Sequence, residues 1–390
     1  MKMNSSQIPH FDYIFTGTGL ASLMTVYKMI LSGKFSSKTI LLLDQDLKKT
    51  NDRTWCFWGK EQATWDSIIS KKWDFALFAN KKFERHLALK PYKYNKINGI
   101  DFYNFVFEEL FKHSNITFLN EKVTDINELE THVFVGTEEK RFTCNYLFNS
   151  IYTKAFAERQ NKYAVLQQHF VGWFVKTEEE VFNSDEVTFM DFSVEQKGNT
   201  RFMYVLPTSK TEALVEYTLF SEKLLPKEEY ENEIQVYLKK FGVSQYQILE
   251  KEEGSILMTC YPFWEKNTKR VLNIGTAGGW TKASTGYTFK SSDKKSSDLV
   301  EFIQNKDFQM KDFHKKSKFW FYDLLLLDIL YRHNELGSSI FSSLFKKGNP
   351  ELIFKFLDEE TSFFEDVKVI LKCPKLLFIK ALFRVIFRLN

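Results

Sequence analysis

Apolar positions fall into short runs near the start of this chain, β-rich runs in its middle and helical stripes towards its end. Residues 11–17 read as a strand, 19–33 as a helix and 39–44 as a second strand. Residues 51–58 (Asn-Asp-Arg-Thr-Trp-Cys-Phe-Trp) follow as a loop dense in aromatics. Helical periodicity returns over 101–113, where Phe102, Phe105, Val106 and Leu110 share a face. Thr131–Val135 and Phe142–Asn149 read as strands about a polar turn, Gly136 to Lys140, and the second returns the chain to the first sheet. Residues 163–177, 187–193, 201–207 and 212–220 are β-branched and aromatic runs separated by turn residues, without long helices between them. They predict an antiparallel sheet, a second layer over one side of a ligand crevice. Leu272-Asn-Ile-Gly275-Thr-Ala-Gly278-Gly279 repeats the strand-then-glycine pattern, and the chain is helical from Phe289, with a dense apolar run at Phe319–Leu330.

The pattern predicts an α/β fold: a Rossmann-type dinucleotide-binding domain, an antiparallel-sheet substrate domain and a helical C-terminal region. The expected boundaries are 1–155 and 265–300 for the nucleotide-binding part, 156–264 for the second sheet and 301–390 for the helices. The dinucleotide signal is Gly17-x-Gly19-x-x-Ser22, set between an apolar run and a helical stretch. Two glycines let the backbone approach a pyrophosphate, and the next helix offers its free N–H groups and positive dipole end. Ser22 stands where a third glycine is usual and is still small enough for close helix–strand packing. Asp44 ends the second strand, about 20 residues on, where an acid hydrogen-bonds a ribose hydroxyl. That suits FAD or NAD better than NADP.

Composition narrows the field. With 390 residues and a net charge of +4, the chain can bury a large core and does not announce nucleic-acid binding. Cys56, Cys144, Cys260 and Cys373 are scattered, which predicts neither a metal site nor a disulfide framework and fits a reducing cytoplasm. The start is polar, so no signal peptide is expected, and no uncharged apolar stretch is long enough to predict a transmembrane helix. Aromatics make up 17% of the chain, with 40 Phe. That content reads either as an apolar substrate or membrane-facing surface, or as compositional bias, since Lys, Asn and Ile are also plentiful; bias does not explain where the aromatics cluster. The tail, Pro374 to Asn390, sets Leu376, Leu377, Ile379, Leu382, Phe383, Ile386 and Phe387 among Lys375, Lys380, Arg384 and Arg388. It reads as a basic amphipathic helix, either packed on the domain or laid on a membrane surface.

Several segments together resemble the bacterial lycopene β-cyclases, within the glutathione-reductase-like FAD superfamily. They are Phe15-Thr-Gly-Thr-Gly-Leu-Ala-Ser22, Asn51-Asp-Arg-Thr-Trp-Cys-Phe-Trp58, Tyr92-x-Tyr94-x-x-Ile97-x-Gly99-x-Asp101-Phe-Tyr103, Leu166-Gln-Gln-His-Phe-Val-Gly-Trp173, Phe189-Met-Asp-Phe192, Leu206-Pro207, Leu214-Val-Glu-Tyr-Thr218, Gly275 to Tyr287 and Phe356-Leu-Asp-Glu-Glu-Thr361. They run in order over nearly the whole chain. Trp58 departs from the His expected there, so no acid–base role carries over to it. The resemblance implies closure of β-rings at the ends of linear lycopene, without net redox, using reduced FAD primed by NAD(P)H. It implies an enzyme of carotenoid biosynthesis, cytoplasmic and peripheral to the inner face of the membrane, drawing its substrate from the bilayer. The other reading of the fold is a flavin monooxygenase or another redox enzyme acting on an apolar prenyl substrate.

Ring closure begins by protonating an alkene, a very poor base, so it needs a dry preorganised acid and π faces or negative charge around a carbocation. Glu216, in the otherwise apolar Leu214–Thr218 strand, is the candidate acid–base, and the resemblance places its functional Glu-x-Thr there. Alternation alone leaves open whether Leu214, Glu216 and Thr218 or Val215 and Tyr217 point inward. Asp191 is a second carboxylate that supports Glu216 or simply bonds a loop. Trp55, Phe57, Trp58, Tyr92 and Tyr94 are candidates to line a polyene site. For the cofactor the candidates are Gly17, Gly19, Ala21, Asp44, Arg53, Gly275, Thr276 and Gly286. Thr276 stands where the resemblance leads one to expect Asp. Gly286 falls where a helix N-terminus meets a flavin ring. The docking surfaces expected for a bilayer are the tail and the apolar run at 319–330.

Overall fold

The computed structural model describes residues 8–60 and 64–389. Residues 1–7 of the polar start, Asn390 and the Arg388 side chain lie outside the described residues. The first half of the chain lays down β1 (His10–Thr16), α1 (Leu20–Leu31) and β2 (Ile40–Asp44), as the apolar pattern predicts. β3 (Thr54–Gly59) stands where an aromatic loop was expected. Its alternation sends Trp55 and Phe57 to one core and Cys56 and Trp58 to another. Both faces therefore carry apolar side chains, and no polar face marks the segment as a strand. β4 (Lys71–Trp73), β5 (Phe75–Asn80), β6 (Phe83–Ala88) and β7 (Lys93–Asn98) lead to α2 (Gly99–Leu110), which buries Phe102, Val106 and Leu110. β8 (Ile116–Asn120), β9 (Val123–Glu128), β10 (Val133–Thr137) and β11 (Arg141–Asn149) complete this half.

A seven-stranded sheet has the path β8-β2-β1-β11-β10-β9. β1 runs parallel to β2 and β11, and β2 to β8. After the short α3 (Ala155–Glu158) come β12 (Leu166–Thr177), β13 (Glu186–Phe192), β14 (Thr200–Pro207), β15 (Glu212–Ser221), α4 (Lys227–Lys240) and β16 (Tyr246–Met258). The second sheet has the order β16-β12-β15-β14-β13-β5-β6. Its last two strands come from residues 75–88, so the boundary expected at 155 does not separate the layers: β5 pairs in parallel with β13. β3, β7 and β4 form a third, three-stranded sheet. β17 (Val271–Asn273) then rejoins the first sheet beside β11.

The two faces of the second sheet carry different neighbours. Val171, Trp173, Val215, Tyr217 and Leu219 pack against Tyr230, Ile234 and Tyr237 of α4. Phe202, Leu206, Leu214 and Phe220 face the interior with Trp58, Tyr94 and Phe354. The alternation left open by the sequence is thus decided: Leu214, Glu216 and Thr218 point inward, away from α4.

The C-terminal region consists of α5 (Phe289–Phe302), α6 (Lys318–Arg332), α7 (Gly337–Lys347), α8 (Pro350–Leu357), α9 (Phe363–Ile370) and α10 (Lys375–Leu389). α6 buries Phe319, Leu324, Leu327, Ile329 and Leu330, so the 319–330 run is core and not a docking surface. Each such burial stabilises by roughly 1.5–3 kcal/mol relative to exposure. The tail is a helix, as predicted. Ala381 and Val385 pack inward, while Leu376, Ile379, Phe383, Ile386 and Phe387 are exposed. Among the described residues no helix is long and apolar enough to cross a membrane.

Candidate functional site

The turn after β1 is shaped by what its glycines leave out. Gly17 holds φ 85°, a left-handed conformation that favours glycine. A Cβ there would collide with Ser150 Oγ. Gly19 is the N-cap of α1 and supplies no side-chain cap, and a Cβ on it would meet nothing within 4 Å. The first N–H groups of α1 therefore receive no side-chain cap. Asp44, at the end of β2, reaches back to this turn, accepting from Thr18 N at 2.6 Å and Thr18 Oγ1 at 2.8 Å. The late glycine segment comes to the same place: a Cβ on Gly275 (φ 59°) would lie 3.3 Å from Ala21 Cβ. Thr276 follows in the 3-10 turn Gly275–Gly278. Gly286 (φ 72°) lies just ahead of α5, and a Cβ on it would come within 2.7 Å of Gln168 Oε1.

These residues fit a dinucleotide. Ser22 Oγ, Gln168 Oε1 and Thr285 Oγ1 are buried and have no hydrogen-bond partner, and buried polar atoms are ordinarily satisfied. The bare N-terminus of α1 suits a pyrophosphate and Asp44 suits a ribose. Arg53 is exposed, its guanidinium on the Asp52 carbonyl at 2.9 Å. Among the described residues no His, Cys, Asp or Glu cluster is arranged to hold a metal ion.

The second part of the site is a row across the interior face of the second sheet. Tyr204 on β14 lies opposite Glu216 on β15, Glu216 opposite Gly172 on β12, and Gly172 opposite Glu252 on β16. Gly172 has no side chain to keep the flanking carboxyls apart. A Cβ there would come within 3.3 Å of Glu252 Cγ and 3.4 Å of Glu216 Cβ. The two carboxyls flank this gap, and each acts on the other's proton affinity. Glu216 is buried and accepts from Thr218 Oγ1. Burial first, and the charge of Glu252 second, push its carboxyl up to about 8. Glu252 accepts from Thr54 Oγ1 at 3.0 Å. Burial raises Glu252 too, while the Thr54 hydroxyl and the Lys96 ammonium pull it back.

Beside this row runs a chain of hydroxyls. Tyr94 and Tyr204 are joined at 2.8 Å, with the Tyr287 hydroxyl and the Cys56 thiol close enough to act on them. Burial holds both Tyr94 and Tyr204 well above the usual phenol range, so they remain neutral rings with O–H groups. Trp58 closes the wall, edge-on to Tyr287 at 4.6 Å and stacked on Phe354 at 4.8 Å. Tyr92 is buried against the same Phe354.

The structure therefore brings Glu216, Trp58, Tyr92 and Tyr94 to one core and sends other candidates elsewhere. Trp55 packs against Phe102 and Phe289, and Phe57 stacks on Phe289 at 4.5 Å, within the nucleotide-binding half. Asp191 accepts from Tyr237 of α4 at 2.9 Å and from Ser193 N at 2.8 Å. It stands opposite Met203, on the α4 face. It does not join Glu216, because a strand residue reaches only one side of its sheet. Sequence reasoning missed Glu252, Thr54, Lys96, Cys56 and Tyr204. Glu252 hides in the charged run Glu250–Glu253, which reads as a solvated edge. Only the pairing across Gly172 singles it out.

The architecture recurs among solved structures at low identity. A geranylgeranyl bacteriochlorophyll reductase-like protein from Thermoplasma acidophilum aligns with TM-score 0.59 and 10% identity over 97% of this chain and 100% of its own. The p-nitrophenol 4-monooxygenase PnpA from Pseudomonas putida gives 0.58 and 11%, over 93% and 97%. A variant of the halogenase PltM in complex with FAD gives 0.55 and 13%, over 88% and 78%. At these identities the likeness establishes the fold alone. No curated protein sequence matches the chain significantly. The family model described as lycopene cyclase protein matches residues 12–383. That match takes in both glycine segments, the carboxyl row and the helices behind Trp58, and the chain belongs to the lycopene cyclase family.

Proposed function

We propose that this protein is a lycopene β-cyclase that closes the linear ends of lycopene into β-rings by acid–base chemistry, with FAD bound in its reduced form and NAD(P)H as the priming reductant. The observation that carries the reading is Glu216: a carboxyl on an interior strand face, raised to about 8 and set among neutral aromatic rings. A carboxyl that keeps its proton at neutral pH in a dry site is the acid that an alkene requires.

In this reading Glu216 delivers its proton to the terminal C=C bond. The resulting tertiary carbocation is attacked by the neighbouring double bond, which forms the ring bond. A proton then leaves the new ring, so one proton enters and one departs and the formula is unchanged. The faces of Tyr94, Tyr204 and Trp58 shelter the positive charge, each close contact contributing up to about 2 kcal/mol when desolvated. The flavin, when bound, supplies an electron-rich surface that favours the cation. Gly17, Gly19, Ala21, Asp44, Gly275 and Thr276 would hold the dinucleotide, and Gly286 would admit the ring beside Gln168.

Lycopene is insoluble in water, and the bilayer is its proposed source, reached from the cytoplasmic side. α9 and α10 support this: Phe363, Phe364, Leu371, Leu376, Phe383 and Phe387 are exposed among Lys372, Lys375 and Lys380. An apolar cavity of about 270 Å³ opens between α7 and α10 beside Pro374 and Leu377.

The test is incubation of the reduced, FAD-loaded protein with lycopene in liposomes, read by product chromatography. β-Carotene is the expected product, with reductant needed only to prime the flavin. Intact flavin binding with no cyclic product overturns the proposal, and steady reductant consumption matched to product moves it to redox chemistry.

A further inference from the structure

Glu252 is absent from the roles assigned so far, yet the fold builds a place for it. β16 is an edge strand whose Glu250, Lys251 and Glu253 are exposed, and Glu252 alone in this run turns inward against β3. Gly172 clears the space between it and Glu216. Thr54 on β3 donates to one of its oxygens. On β7, Lys96 is buried, with its ammonium over the Phe174 ring at 5.4 Å and close enough to act on both Glu252 and Cys56. A buried lysine needs nearby negative charge, and a half-buried carboxylate needs nearby donors.

We infer that Glu252 is a positioning residue for Glu216: the two carboxyls share a single proton over Gly172, with the charge resting on Glu252, where Thr54 and Lys96 hold it, and the proton resting on Glu216. The assignment deepens the proposed function, on which its catalytic meaning rests. Two carboxyls this close do not both ionise, and the one with better donors keeps the charge. The groups that face the pair are Thr218 on the strand of Glu216, Tyr204 on β14, Thr54 and Cys56 on β3, Lys96 on β7 and, from β16 itself, Glu250. Of these only Lys96 carries positive charge, and it acts on Glu252.

The experiment reads the proton directly, without substrate. Infrared difference spectra of the FAD-loaded protein are taken as pH is raised, following the C=O stretch of protonated carboxyls in wild type, Glu216→Gln, Glu252→Gln and Glu252→Asp. Wild type should keep one buried protonated carboxyl that titrates near pH 8. Its band should vanish in Glu216→Gln, titrate at least about one pH unit lower in Glu252→Gln and move back towards wild type in Glu252→Asp. Flavin absorbance reports that each variant is folded and loaded. Unchanged titration in Glu252→Gln overturns the inference, and so does a band that survives Glu216→Gln and is lost in Glu252→Gln. Product analysis on the same samples separates the two levels. If lycopene is not cyclised by wild type, the proposed function fails while the titration still decides whether the carboxyls share their proton. If wild type cyclises lycopene, the alkaline limb of the rate profile should shift with the band.

Discussion

Trp58 donates its indole N–H to Asp358 Oδ2 at 2.7 Å, joining a strand of the first half of the chain to the loop after α8. Lys290 of α5 bonds the same carboxylate. One residue on, Glu359 accepts from Lys282 at 3.1 Å, and Lys282 also meets Asp323 of α6 at 3.0 Å. The Phe356–Thr361 segment thus ties the C-terminal helices to the stretch around Gly286. Trp58, which occupies the position expected for His, holds a carboxylate and walls the aromatic core.

Replacing Trp58 by Phe keeps the ring stack on Phe354 and removes the N–H. Asp358 is then left with Lys290 in a mostly buried place, and without the indole donor its proton affinity, already raised by burial, rises further. The variant should lose about 1–3 kcal/mol of stability, measured by urea unfolding. Flavin binding should survive, because the substitution keeps an aromatic ring against Tyr287, beside Gly286.

Glu216→Gln should lower ring closure by roughly 100-fold or more while retaining FAD. The same substitution carries a signature in stability. The carboxyl is raised from 4.5 to about 8 in the folded chain, so the native state binds this proton more tightly than the unfolded one. Its contribution to stability is complete below the unfolded value and is lost as pH rises through about 8. Glu216→Gln cannot lose it. In unfolding experiments at about pH 5, 7 and 9, the variant should gain on wild type at each step upward. Wild-type ring closure should fall across the upper part of the same window, since the acid must be protonated to act. An unchanged stability difference across that window would remove the buried acid from the account.

Much of this was readable from residue order alone, for physical reasons that also mark where reading stops. The Gly17 turn, Asp44 and α1 are local: apolar runs, a glycine at positive φ and an acid at a strand end all lie within one βαβ unit. The four runs from Leu166 to Ser221 declare strands through β-branched and aromatic content. The carboxyl row does not declare itself, because Glu216, Gly172 and Glu252 are neighbours only through strand pairing. Asp191 misled for the same reason: an acid amid apolar residues has two faces to choose from, and Tyr237 of α4 captures it on the far one. Strand β3 reads as a loop because Trp55 and Phe57 serve one core while Cys56 and Trp58 serve another.

Gly17→Ala tests the cradle. The position holds φ 85°, and the added methyl would run into Ser150 Oγ. Forcing an L side chain there costs on the order of 1–3 kcal/mol, spent largely on moving the turn that faces α1. The expected result is a protein whose circular dichroism is near wild type and whose FAD affinity falls by about 10-fold or more. The readout is flavin fluorescence quenching on titration. Undiminished affinity would place the pyrophosphate elsewhere.

The exposed rim of α9 and α10 gives the last prediction. Phe363 and Phe364 are 65% and 79% exposed, and Phe387 is 77% exposed. Large aromatics left in water at this density mark an interaction surface, and the bilayer is the partner proposed for it. Lys372, Lys375 and Lys380 border it, and each basic residue near an anionic surface is worth about 1 kcal/mol. Phe363→Ser with Phe364→Ser should weaken binding to liposomes containing anionic lipid by about 10-fold or more, as read by flotation. Folding should be untouched, since neither side chain is part of a core. Raised salt should weaken wild-type binding through the lysines, while the residual, salt-resistant part should disappear in the double variant. Cyclisation of lycopene presented in detergent should stay near wild type and only the liposome assay should fall, because the defect lies in reaching the bilayer and not in the chemistry at Glu216.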